Sequence, residues 1–168
     1  MVDKRKFKDI NVSLLGLGTM RLPCETEQKR ESNRNIDYDK AQSLVDLAYK
    51  NGVNYFDTAY MYHCGKSEAF IGYALNKYPR DTYFIADKLP IWLCDTKEDM
   101  KRVFEKQLER TGMDYFDFYL LHSLDNENFE KCEKFYAYDF LKKMQKEGKI
   151  KYIGFSFHGT VGDLRNIV

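Results

Sequence analysis

The sequence predicts an α/β fold of parallel strands joined by crossover helices, and three observations carry that expectation. Five short apolar runs rich in aromatic and branched residues fall at residues 14–20, 54–60, 83–89, 115–121 and 152–157. Being nearly unbroken in apolarity, they read as strands covered on both faces. Stretches with the spacing of one-sided helices separate them, and a strand-helix unit repeated every ~30 to 40 residues implies parallel strands with right-handed crossovers. An open doubly wound sheet and a (β/α)8 barrel both satisfy this pattern.

The elements follow in order. Lys6-Phe7-Lys8 and Asn11-Val12-Ser13, around a turn at Asp9-Ile10, suit a small hairpin ahead of the first parallel strand. Residues 23–35 are polar and read as a loop. Ala41, Leu44, Val45 and Ala48 share one face of a first helix, with Asp37 or Asp39 as its cap and Asn51-Gly52 as its stop. A second helix follows Ser67 and turns Phe70, Ile71, Ala74 and Leu75 inward. The third begins near Thr96, whose hydroxyl is a candidate cap, buries Met100, Val103, Phe104, Gln107 and Leu108, and stops at Gly112. Residues 123–128 read as a short loop, and a fourth helix with Phe140, Leu141 and Met144 ends at Gly148. A helix after the fifth strand is only beginning as the sequence reaches Val168.

Composition narrows the partners. A chain of 168 residues, 43% hydrophobic and 15% aromatic, has the material for one core, so a single domain over residues 1–168 is expected. The 27 basic residues nearly balance the 26 acidic ones, leaving no bulk electrostatic case for nucleic acid or an acidic membrane, and a small molecule is the expected partner. Cys24, Cys64, Cys94 and Cys132 lie far apart, with no C-x-x-C pair to suggest zinc or an iron-sulfur cluster within this stretch, and are expected to be reduced. The basic opening MVDKRKFKDINV lacks the apolar core of a secretory signal, and no run reaches the ~18 apolar residues of a membrane span, so a cytoplasmic setting is expected.

Polar residues of chemical interest cluster at the carboxyl ends of successive strands, where both architectures place their sites. Asp57 sits in N-Y-F-D-T-A-Y, Lys88 in F-I-A-D-K-L and His122 in F-Y-L-L-H-S. Singly, Asp57 suits a strand-end cap, Lys88 a solvated loop lysine, His122 a satisfied core histidine, and Tyr62 is one of 13 tyrosines. Their coincidence at strand ends is the signal. His63 and His158 lie near strand ends as well, but no pair has the i, i+4 spacing of common zinc motifs, so no metal site is expected.

The stretches L-G-L-G-T-M (15–20), F-D-T-A-Y-M-Y (56–62), G-K-S-E (65–68), D-K-L (87–89), L-L-H-S (120–123) and G-K-I-K-Y-I-G-F-S (148–156) occur in the order and spacing of the aldo-keto reductases, and over nearly its whole length the sequence resembles that family. The resemblance implies a (β/α)8 TIM-type barrel of which about the first five strands are present. It implies NADP(H) or NAD(H) as cofactor and carbonyl reduction without a metal. Tyr62 then matches the proton donor, Lys88 and Asp57 the pair that tunes it, and His122 the residue that orients the carbonyl. The chemistry suits these types: a phenol keeps its proton at neutral pH, a neighbouring ammonium favours phenolate, and a carboxylate keeps the ammonium charged and in place. Gly18, Thr19 and Met20 match the turn at the nicotinamide end, and Ser156 a contact to the carboxamide; Phe157 stands where the family usually has asparagine. A tight strand-to-loop turn explains the glycines equally well.

A barrel of this type takes ~250 residues, so the sequence reads as an incomplete, truncated form. Open strand edges and apolar interior side chains would then invite self-association. An iron-sulfur cluster is an expectation only for a longer parent with a carboxyl-terminal ferredoxin-like region. Two other readings stay open: a noncatalytic nucleotide- or partner-binding barrel fragment, and lyase chemistry through a Schiff base on Lys88.

Overall fold

The structure is a computed structural model that describes residues 1–25 and 35–168. Most of the expected loop at 23–35 therefore lies outside the described residues, although Cys24 and Ile36 at its two ends form an antiparallel bridge. Five parallel strands follow one another in the order β3-β4-β5-β6-β7, with helices between them, as the strand-helix rhythm predicts. The chain divides into two compact units, Met1–Ala86 with Arg110–Gly112, and Asp87–Glu109 with Met113–Val168.

In the first unit, β1 (Lys4–Phe7) and β2 (Ile10–Ser13) pair antiparallel, with Phe7 opposite Ile10. The turn is thus Lys8-Asp9, one residue earlier than expected, because Lys8 takes the left-handed conformation at φ 51. The next apolar run is mostly not strand. Only Leu17–Gly18 forms β3, while Leu14 and Leu15 are 61% and 59% exposed. Side-chain hydrogen bonds set that segment: the Ser13 amide donates to Asn54 Oδ1, and the Ser13 hydroxyl to the Leu15 carbonyl.

Helix α1 (Tyr38–Lys50) buries Ala41 and Val45, is capped by Asp37 accepting from the Lys40 amide, and ends at Asn51 and Gly52. Strand β4 (Tyr55–Asp57) is shorter than its apolar run and lies parallel to β3, with Gly18 opposite Asp57. On its other side β5 (Phe84–Leu89) pairs Ala86 with Asp57. Helix α2 (Lys66–Leu75) buries Phe70, Ile71, Ala74 and Leu75, the expected four. It packs so close to the end of the third helix that a Cβ on Gly72 would stand 2.1 Å from the Thr111 carbonyl oxygen.

In the second unit, most of α3 (Lys97–Thr111) turns Met100, Val103, Phe104 and Gln107 inward. Its start is closed differently from expectation. The Asp99 carboxylate accepts from the Asp95 and Thr96 amides, and the Thr96 hydroxyl donates to it. Phe104 meets Phe116 and Tyr119 edge-on, with ring centroids 5.8 and 4.9 Å apart, at the centre of this unit's core.

Strand β6 (Phe116–Leu124) runs three residues past the expected end and lies parallel to β7 (Ile150–Phe157). The supposed loop at 123–128 is instead the end of β6 followed by α4 (Asn126–Phe135), whose first turn is capped by Asp125 accepting from the Asn128 amide. Helix α5 (Ala137–Lys146) buries Leu141 and Met144 and stops before Gly148 at φ 74. Helix α6 (Val161–Ile167) is opened by a capping box between Thr160 and Asp163. Among the described residues no helix is long and apolar enough to cross a membrane.

Candidate active site

The first unit brings Gly18, Thr19, Asp57 and Tyr62 onto the carboxyl ends of β3 and β4 and the turn that follows. Both the Thr19 amide and its hydroxyl donate to the Asp57 carbonyl, each at 2.9 Å. A buried line of hydroxyls leads there: Thr58 Oγ1 lies 2.9 Å from Ser67 Oγ, and Ser67 Oγ donates to Thr19 Oγ1 at 2.6 Å. With the Thr19 and Ser67 protons so directed, the Thr58 hydroxyl is the donor to Ser67, and the line has one polarity that ends on the Asp57 backbone. Half-buried Asp57 lies at the carboxyl end of β4. Burial, reinforced by the Asp57 charge, raises the neighbouring Tyr55 phenol well above its usual range.

Tyr62, half-buried, opens a 3-10 turn over Tyr62–Gly65. That turn is unusual in its backbone: His63, Cys64 and Gly65 are left-handed at φ 50, 53 and 82. The buried His63 ring is fixed by accepting the Leu22 amide at Nε2, with Cys24 Sγ 3.8 Å from Nδ1. Among the described residues no three His, Cys, Asp or Glu side chains gather as a metal group.

Gly18 needs no glycine for its own backbone, which has no left-handed φ, and a Cβ there would meet nothing within 4 Å. What glycine leaves is bare, exposed backbone that a flat ring can approach. Thr19 is fully buried and serves the Asp57 carbonyl, whereas Met20 is 54% exposed.

The second unit holds Lys88, His122 and Ser156. Lys88 is 4% exposed near the end of β5. Its carbonyl accepts from Gln107 Nε2 at 3.0 Å, and the oxygen of that buried amide accepts from the Tyr119 hydroxyl. The sequence marked Gln107 only as a buried position; nothing in it linked the amide to Lys88.

His122 sits where β6 slips register against β7, between Leu121 opposite Phe155 and Leu124 opposite Phe157. Ser123 is left-handed there at φ 55 and its amide donates to Ser156 Oγ at 2.7 Å, tying the two strand ends together. Since Ser156 accepts this bond, its own hydroxyl proton is directed elsewhere. The Trp92 ring lies against His122 at 5.0 Å between centroids. Burial foremost, then the charges of Lys88 and His158, hold His122 down at about 4, so at neutral pH the ring is neutral and carries one N–H donor.

At the strand ends of the second unit, a neutral imidazole beside a buried ammonium can donate a hydrogen bond to an oxygen that gains negative charge. The sequence pattern of the Aldo/keto reductase family matches residues 14–167. The chain belongs to that family. An aldo-keto reductase of Gibberella moniliformis is 32% identical over 93% of this chain and 46% of its own length. The NADH-specific methylglyoxal reductase of Escherichia coli is 28% identical over 87% of this chain and 48% of its own.

Among solved structures, an aldo-keto reductase from Pseudomonas aeruginosa superposes with a TM-score of 0.74 at 29% identity, over 92% of this chain and 60% of that one. The aldo-keto reductase of Klebsiella pneumoniae in complex with NADPH gives 0.71 at 26% identity, over 98% of this chain and 52% of that one. The chain spans about half the length of the curated relatives it matches. In this aldo/keto reductase family member, the parallel β/α order is that of a partial TIM-type barrel.

Proposed function

We propose that the full-length protein reduces aldehyde and ketone groups with NADPH or NADH, and that Tyr62 gives the proton to the carbonyl oxygen. The observation that carries this reading is the buried pair of Lys88 and His122, in which burial and the ammonium charge keep the imidazole neutral. A neutral imidazole can donate a hydrogen bond to a carbonyl oxygen and hold it without itself protonating it. In this reading the Lys88 ammonium favours the phenolate that remains after Tyr62 has released its proton, and the Asp57 carboxylate keeps Lys88 charged and in place. Gly18, Thr19 and Met20, and separately the Ser156 hydroxyl, are the residues that the family resemblance assigns to binding of the nicotinamide. Bound cofactor would supply the hydride to the carbonyl carbon. The name of the Escherichia coli relative and the NADPH complex of the Klebsiella structure support a nicotinamide and a small carbonyl substrate.

The test is Tyr62→Phe in the full-length protein, with methylglyoxal as the first substrate. Oxidation of NADPH or NADH should fall by about 10²-fold or more, while the affinity for cofactor, read by fluorescence titration, stays as it was. Turnover unchanged in that variant would remove Tyr62 from its role.

A further inference from the structure

The short turn that carries Tyr62 is held from outside by a residue on the third helix. Arg110 Nη1 pairs with Glu68 Oε2 at 2.9 Å, and Glu68 is fully buried. The same nitrogen donates to the Tyr60 carbonyl at 3.4 Å, and the guanidinium carbon lies 4.3 Å from the centre of the Tyr60 ring. Its Nη1, Cζ and Nη2 atoms come within 3.1 to 3.2 Å of where a Cβ on Gly65 would stand. One planar cation therefore touches the chain two residues before Tyr62 and three residues after it, and is itself fixed by a buried carboxylate.

The turn needs such a hold. Left-handed backbone costs roughly 1–2 kcal/mol at each non-glycine residue, and His63 and Cys64 both adopt it in succession. Inside the turn, the Tyr62 amide donates to the Ala59 carbonyl at 3.0 Å and the Cys64 amide to the Met61 carbonyl at 3.1 Å. Backbone held in a sparsely populated region persists where its surroundings over-determine it. Gly65 serves the arrangement twice, by accepting φ 82 and by leaving room for the guanidinium.

We propose that Arg110 is a positioning residue for Tyr62: braced by Glu68, it clamps the backbone at Tyr60 and Gly65 and thereby fixes where the phenol of Tyr62 stands. The proposal rests on the reading of Tyr62 as proton donor. It differs from a merely structural ion pair in what it predicts for turnover, since a small misplacement of a reacting group lowers the rate without weakening binding.

The test uses the full-length protein with three variants: Arg110→Lys, Tyr62→Phe, and Arg110→Met combined with Glu68→Gln. The paired replacement removes both charges and so leaves no buried carboxylate without its cation. It should fold, as read by its melting transition, yet kcat for methylglyoxal should fall about tenfold or more while the KM values for carbonyl and cofactor change by less than about twofold. Amide hydrogen exchange at residues 62–65 should speed up by about tenfold. Arg110→Lys, which keeps the charge on Glu68 but lacks the fork, should recover part of the lost kcat. Unchanged exchange at 62–65 in the folded paired variant would overturn the clamp. So would unchanged kcat in that variant beside an inactive Tyr62→Phe. Normal turnover in Tyr62→Phe would instead remove the proton-donor reading and with it the positioning role, a result distinct from either of the others.

Discussion

Protonating His122 would set a new positive charge beside the buried Lys88 ammonium. Its folded value, about 4, lies below the ordinary 6.5, so between those limits the unfolded chain binds the proton more readily. Stability from this group is therefore complete above ~6.5 and is lost as pH falls toward ~4, a change on the order of 2–3 kcal/mol. Urea midpoints at pH 7 and 4.5 should differ accordingly, and His122→Gln should flatten the difference. Asp46 belongs to a lower window. Although burial opposes it, hydrogen bonds from Lys77, Tyr78 and Gln42 bring its carboxyl down to about 2, so its contribution disappears only under stronger acid. The candidate residues were legible because Asp57, Lys88 and His122 each sit at the end of an apolar run. Arg110 and Gln107 were not, since their partners Glu68 and Tyr119 lie 42 and 12 residues away and no local pattern joins them.

Strand β6 shows why periodicity located the strand but not its end. Its buried positions alternate at 117, 119 and 121, then change phase to 122 and 124. The register against β7 slips between Leu121 and Leu124, in the stretch where Ser123 is left-handed. A sequence cannot reveal such a slip, so β6 seemed to stop at 121 and α4 was hidden behind a supposed loop. Helix α2 offers a sharper test of packing. Replacing a helical glycine by alanine ordinarily favours the helix by about 1 kcal/mol, but at Gly72 the added Cβ would stand 2.1 Å from the Thr111 oxygen. Overpacking of that kind costs about 1–3 kcal/mol or more, so Gly72→Ala should lower the chemical-denaturation midpoint, with the helix content of the native protein unchanged by circular dichroism.

Over the whole chain, the four thiols sort by burial. Cys64 is exposed, Cys24 half-buried, and Cys94 and Cys132 buried with burial pushing their thiols up to about 11 and 12. Titration of the native protein with a disulfide reagent should label Cys64 first and Cys24 next, with Cys94 and Cys132 reacting only in denaturant. The α/β class and its parallel order were readable throughout, because buried strands announce themselves as apolar runs and helices by their one-sided spacing. The hydroxyl line under Asp57 and the brace on Lys88 were not, for both are made by contacts across the fold. The strand order has a further consequence. Every strand from β4 to β7 pairs with the one made immediately before it, so on the ribosome each of these strands finds its neighbour already synthesised. Across these five strands the sheet can lengthen in step with translation.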